Sequence, residues 1–398
     1  MPLSASKTFL FPLLLVLYEV AAYLSNDMYL PALPQMMQQL HTSAALTQAT
    51  LTTWFMGMAS MHLILGAISD RFGRRPVLLL GGIIFVGASM VCATAQSIAI
   101  LLVARFCQGA AVCSLIIAGY ATIHELLVQQ QAIKTLAWMG SITILAPAFG
   151  PLLGSLVLAF YDWRTIFWIP ALWASIILLA LGKWMPESLD KTQVVPLNLA
   201  KLLRIYQQIL SNKLYTCHML ACCLIFGGFI AWITLGPFLL LQHFHRTVIY
   251  FGIIQALVFI SFIVGMQSIR FFIDSIPARK LIKGGLILAL CASTLNLIFS
   301  SMLADNLFIF TFCLMLFAYA SGLISAPLNR LAIEAAHSQP MGARVAIYSS
   351  GMSIFAILGS SLATIFYNKQ AISITAILFL VSCLAYWVNS LNRIKLIS

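Results

Sequence analysis

The sequence predicts an all-α membrane protein, with twelve transmembrane helices in two six-helix bundles. Three observations lead there. Of 398 residues, 62% are hydrophobic and 8% are charged, and the mean hydropathy is +0.99; soluble domains carry roughly 25% charged residues. So few polar side chains cannot coat even one domain in water, which excludes a soluble enzyme, a disordered tail, a collagen and a disulfide-stapled secreted domain. Apolar runs of about 20 residues, the length that crosses a hydrocarbon core, recur along the whole chain. The longest polar stretch, 186–213, divides those runs six and six.

The runs lie near 9–31, 46–68, 77–95, 98–123, 135–160, 164–184, 214–241, 248–272, 280–301, 306–328, 343–366 and 371–391. The first carries Glu19 and Asp27 and has no small-residue cleavage site, so it reads as a span and not as a cleaved signal peptide. Of the 22 Lys and Arg, 18 fall on one side (Lys7, Arg71, Arg74, Arg75, Lys134, Lys183, Lys191, Lys201, Arg204, Lys213, Arg270, Arg279, Lys280, Lys283, Arg330, Arg344, Arg393 and Lys395) and three on the other (Arg164, Arg246 and Lys369). Positive charge marks the cytoplasmic side, so both ends are expected there. This pattern also explains the formal charge of +12 without nucleic acid. Within 186–213, Asp190, Lys191 and Pro196 break the apolar pattern, while 197–210 reads as a short amphipathic helix along the membrane surface. A central cytoplasmic loop between two bundles places a substrate site between the halves. Domains are expected at 1–185 and 214–398. The nine cysteines lie in or beside apolar runs, and no pair has metal-site spacing, so they read as small core residues.

One basic residue, Arg105, remains inside a span. Among the acids, Asp274 and Glu334 read as loop residues, leaving Glu19 and Asp27 in the first span. An ionisable group at mid-membrane costs about 2.5–3.5 kcal/mol on insertion scales, so such groups mark function by default. The competing reading is a buried ion pair that only locks two helices. Glu19 and Asp27 are eight residues apart, roughly 12 Å along a helix and about 80° around it, and can share one side. Asp27 and Arg105 come to similar depth, which suggests a link through Gln108 or water. His62 and His218 read as packing residues. There is no G-x-x-x-x-G-K-[ST] loop, so an ATP-driven pump is not expected. Nor is there a nucleophile triad or a His/Asp/Glu cluster for an enzyme within the membrane.

The loop after the second span, Gly66-Ala-Ile-Ser-Asp70-Arg71-Phe-Gly73-Arg74-Arg75-Pro76, resembles the signature loop of the major facilitator superfamily. Leu101-xxx-Arg105-xx-Gln108-Gly109 looks like that family's proton-coupling motif. Ala146-Pro147-Ala-Phe-Gly150-Pro151-Leu-Leu-Gly154 resembles the fifth-span motif of its antiporter subgroup, with Ala146 and Ser155 where glycine is usual. Leu17-Tyr18-Glu19, Asn26-Asp27-Met28, Gly119-Tyr120-Ala121 and Glu125 are similar to MdfA-type multidrug transporters, in the Bcr/CflA neighbourhood. In the second half the likeness thins to residues such as Ala231-Trp232 and Gly236-Pro237.

The resemblance implies the major facilitator fold and a proton-coupled antiporter that exports lipophilic cationic or neutral compounds by alternating access. The alternative is export of an endogenous metabolite such as a siderophore. Glu19 and Asp27 would recognise proton and drug, and Arg105 would couple them. Candidate substrate-binding residues are Tyr23, Asn26, Asp27, Trp54, Met58, Gln108, Tyr120 and Trp232, with Phe226 beside them. Gating is assigned to Gly66, Asp70, Arg71, Gly73, Arg74 and Glu125 as a cytoplasmic latch, with Asp70 at a helix N-terminus, Arg75 as a further pairing group and Gly66 allowing close helix approach. Gly150, Pro151 and Gly154 would let the fifth span bend and pack against the other half. The expected partners are a small-molecule substrate, protons and the lipid bilayer. No cofactor, metal or nucleic acid is expected, and the chain is expected to be a monomer in the bacterial cytoplasmic (inner) membrane.

Overall fold

The computed structural model describes residues 5–189, 199–272, 275–302 and 306–391. Asp190, Lys191, Pro196, Asp274, Arg393 and Lys395 lie outside them, as do the side chains of Lys7 and Lys201. The described chain is helical, and its contacts divide it into two units, Met1–Asn198 and Leu199–Ser398. Eleven helical stretches are long and apolar enough to cross a membrane, and a bent pair makes a twelfth.

In the first unit, α1 (Ala5–Asp27) stops where Pro31 and Pro34 open a short 3-10 turn, Leu30–Ala32, and α2 (Leu33–Gln39). Proline lacks the N–H of an interior helix residue and is favoured in the first turn, where Pro31 and Pro34 lie. Ser43 caps α3 (Ala44–His62), its hydroxyl accepting from Leu46 N at 3.2 Å. The second span bends by 52° into α4 (Leu65–Phe72). Gly73, at φ +101°, then turns the chain into α5 (Arg74–Thr94), a conformation that favours glycine. The fourth span is α6 (Ile98–Ser114), a π-helical turn (Leu115–Gly119) and α7 (Tyr120–Leu126). The fifth is α8 (Gln129–Thr143) and α9 (Leu145–Leu158), and the sixth is α10 (Trp163–Trp184), capped by Asp162.

The second unit opens on α11 (Leu199–Ser211), the expected amphipathic helix, with Ile209 buried and Leu203 exposed. Five spans follow as α12 (Lys213–Phe238), α13 (Val248–Phe272), α14 (Ala278–Met302), α15 (Leu307–Ala335) and α16 (Met341–Phe366), and α17 (Ala371–Ser390) is the sixth. The helix α15 extends well past the expected end of its span. Glu334 therefore lies in its last turn and not in a loop, exposed and paired to Arg330 at 2.7 Å. Among the described residues, no Asp, Glu, Lys or Arg is buried in this unit.

Candidate proton and substrate site

The buried charges gather at the end of α1. Glu19, Tyr23 and Asp27 fall at i, i+4 and i+8, on one face of that helix. Glu19 is 2% exposed, Asp27 is 5% and Arg105 is 0%. Neither carboxylate forms an ion pair among the described residues.

Arg105 is held by acceptors on three helices. It donates to Ser25 O at 3.2 Å and to Asn26 Oδ1 at 2.7 Å on α1. It also donates to Thr50 O on α3 at 3.4 Å and to Gln108 Oε1 on α6 at 2.9 Å. Its guanidinium stacks 4.4 Å from the Tyr29 ring centroid and 6.0 Å from that of Trp54. The position follows from the break in α1. A helix end leaves its last carbonyls without intrahelical partners and gathers partial negative charge, and a cation satisfies both needs. The Ser25 carbonyl is one of those groups.

The direct link from Arg105 to Asp27 is Asn26, in the place expected for Gln108. The Asn26 amide accepts from Arg105 and donates to Asp27 Oδ1 at 3.3 Å. Gln108 supports the guanidinium from the other side. Its Oε1 accepts from Arg105, its Nε2 donates to Ser89 Oγ at 2.8 Å, and the Cys92 thiol donates to Oε1 at 3.5 Å. Gln108 is 0% exposed and positions Arg105 in this structure.

Glu19 has its own setting. The Tyr120 hydroxyl donates to both carboxylate oxygens, at 2.9 and 3.0 Å, and Thr143 adds a side-chain hydrogen bond from α8. Tyr120 follows directly on the π-helical turn, a local distortion often found where a helix re-aims a functional side chain. Tyr23 lies in electrostatic reach of Glu19 and Asp27 alike. Trp54 and Met58 on α3 are buried beside this network, at 2% and 8% exposure. His62 is buried further along α3.

The glycines of the fifth span pack somewhere other than expected. A Cβ on Gly150 would lie 2.8 Å from Asp27 Cβ, and one on Gly154 would overlap the Met28 carbonyl. These glycines let α9 close over the end of α1 within the same unit, because nothing larger fits beside Asp27. Trp232 lies in the second unit, fully buried, and donates to Gln255 Oε1 at 2.8 Å. His218, also on α12, is buried with Nδ1 unpartnered among the described residues.

At the other end of the first unit, Arg74 is the centre of a polar cluster at the place where a latch is expected. It pairs with Glu125 at 2.8 Å and with Asp70 at 2.5 Å. Asp70 lies near the end of α4 and caps no N-terminus; that position belongs to Glu187. The Glu187 carboxylate accepts from the Arg74 and Arg75 backbone N–H groups, at 2.9 and 3.2 Å. Ser188 donates to Glu125, and Arg75 donates to the Gly182 carbonyl. Arg71 joins none of these pairs; it is exposed and stacks on Phe72. A Cβ on Gly66 would meet nothing within 4 Å, so close approach is not its role.

Sequence reasoning missed Thr50, Ser89, Thr143 and Glu187. Only Glu187 left a trace, in the Pro186-Glu187-Ser188 run where the central polar stretch begins. Glu187→Ala should cost about 1 kcal/mol at the start of α5, the usual worth of a cap. Hydrogen exchange read by mass spectrometry should then speed up at the amides of Arg74 and Arg75; unchanged exchange would remove Glu187 from the latch.

Comparison with known proteins matches residues 15–359 to the Major Facilitator Superfamily model. The multidrug transporter MdfA of Yersinia pestis (biovar Antiqua, strain Angola) is 31% identical over 364 residues, covering 91% of this chain and 88% of the relative. The multidrug resistance protein MdtM of Escherichia coli K12 is 29% identical over 329 residues, covering 82% and 80%. Among solved structures, a bacterial homologue of the human lysosomal transporter Spinster, inward-facing and unoccupied, aligns with a TM-score of 0.76 at 13% identity over 98% of both chains. The human organic anion transporter MFSD10 aligns at 0.65 and 18% identity, over 96% of this chain and 99% of that one. These structures share the fold. With the family model and the MdfA relative each covering most of its length, this chain is a multi-pass membrane protein and a transporter of the major facilitator superfamily, not an enzyme.

Proposed function

We propose that this chain is a proton-coupled antiporter that exports lipophilic cationic or neutral compounds by alternating access. The observation that carries the reading is the pair Glu19 and Asp27, buried on one face of α1 without an ion pair among the described residues. A buried carboxylate can be neutralised by a proton or by a cationic substrate, and each excludes the other. Exchange follows when a proton taken from outside displaces substrate and is then released inside. Tyr120 and Thr143 orient Glu19, while Asn26 relays the state of Asp27 to Arg105. The relatives' names, multidrug transporter and multidrug resistance protein, support a broad substrate range. The apolar and aromatic surroundings of Trp54 and Met58 suit such a range. The driving force is the proton gradient, in which one charge crossing 100 mV yields about 2.3 kcal/mol. The chain acts as a monomer in a bacterial inner membrane, with both ends in the cytoplasm.

The test is a vesicle assay. Purified protein is placed in acid-loaded proteoliposomes with a pH-sensitive dye inside, and compounds are added outside. Cationic and neutral lipophiles should make the interior more alkaline as protons leave in exchange. Uptake without proton movement would make the chain a passive facilitator, and a response to anions alone would make it an exporter of anionic metabolites.

A further inference from the structure

A groove of about 910 Å³ opens in the second unit between the first turns of α13 and α15. Its walls are apolar, with Ile253, Ile254 and Leu257 on α13 and Phe312 and Met315 on α15. Its mouth is polar. Arg246 stands there, exposed, 5.5 Å from the Tyr250 ring centroid, beside Asn306. Arg246 forms no ion pair among the described residues, which do not include Asp305, next to Asn306 in the sequence. On the α15 wall the buried Thr311 hydroxyl has no hydrogen-bond partner among the described residues.

This polarity runs in one direction. The cation sits at the boundary, just before the span Val248–Phe272 begins. From Tyr250 to Leu257 the groove then follows α13, for roughly 10 Å at 1.5 Å per residue. That is about a third of a hydrocarbon core about 30 Å thick, so the groove stays within one leaflet. Among the described lining residues, one cation stands above an apolar slot that stays within one leaflet, which matches an amphiphile of opposite charge. A lipophilic cation would meet repulsion at Arg246.

We propose that this groove holds an anionic phospholipid of the surrounding bilayer, its phosphate on Arg246 and Tyr250 and one acyl chain between α13 and α15. The site lies in the second unit, whereas Glu19 and Asp27 belong to the first, and the proposal does not depend on proton coupling.

Native mass spectrometry of the full chain tests it, after equilibration in micelles holding equal phosphatidylglycerol and phosphatidylethanolamine. The wild type should retain one phosphatidylglycerol in preference. Arg246→Gln should weaken that retention about fivefold, the effect of one basic residue near an anionic surface. Arg246→Lys should keep it, and Leu257→Trp should lose it by filling the slot. Arg246 and Leu257 are exposed, so the variants should fold, and unchanged melting would confirm it. Equal retention of the two lipids, full retention by Arg246→Gln, or displacement of phosphatidylglycerol by a lipophilic cation would overturn the proposal.

Discussion

A chain carrying Glu19→Gln and Asp27→Asn together should move no protons upon substrate addition beyond the background of protein-free vesicles. The substitutions remove a proton site at each position and little else. A glutamine at 19 can still accept from the Tyr120 hydroxyl and from Thr143, as Glu19 does. An asparagine at 27 can still accept from the Asn26 amide. The helix, its break and the Arg105 network should therefore survive, and melting should be close to wild type. Each single variant should lower coupled exchange by about a hundredfold, the order at which a positioned proton-transfer group acts. If one single variant retains exchange of neutral compounds but loses that of cations, that carboxylate recognises substrate charge and the other carries the proton. Proton-driven transport by the double variant at the wild-type rate would remove both carboxylates from the mechanism.

The sequence made this site legible because lipid forbids charge. Among 32 charged residues, composition and the positive-inside pattern accounted for nearly all, leaving Glu19, Asp27 and Arg105. The structure brings those three into one unit. The spans were legible for the same reason, since hydropathy reports solvent directly.

Partners were not legible, because hydrogen bonds across helices depend on rotation and depth. Gln108, one turn from Arg105, looked like a bridge to Asp27, yet the break in α1 swings Asn26 into that place and leaves Gln108 behind the guanidinium. Thr143 is one of many threonines in apolar runs and becomes distinctive only once α8 meets α1. The fifth-span glycines signalled a close approach, but not which helix would make it. Trp232, singled out beside a thin motif match, is locked to Gln255 in a unit without buried charge among its described residues.

Arg105→Lys should yield a folded but uncoupled chain, and Arg105→Ala should fail to accumulate as folded protein. The guanidinium reaches four acceptors, Ser25 O, Asn26 Oδ1, Thr50 O and Gln108 Oε1, while lying flat against Tyr29. A lysine ammonium has three donors on one atom and no planar face, so it cannot span α1, α3 and α6 together. A lost hydrogen bond to a charged group costs about 1.5–3 kcal/mol where its partner stays buried. Alanine removes this donor from Ser25 O and Asn26 Oδ1, while Thr50 O keeps the Thr53 hydroxyl and Gln108 Oε1 keeps the Cys92 thiol; that loss approaches the lower end of a total stability of about 5–15 kcal/mol. Lysine keeps the charge at the end of α1 and some of the bonds, so its melting temperature should fall without loss of fold. Coupling should fail nonetheless, because the Asn26 amide no longer holds one orientation between the cation and Asp27. Fluorescence-detected size exclusion after heating gives the first readout, and the acid-loaded vesicle assay gives the second. A lysine variant with lowered melting but wild-type proton exchange would make Arg105 a structural brace alone. One with unchanged melting would show that the four-acceptor geometry contributes nothing to the fold.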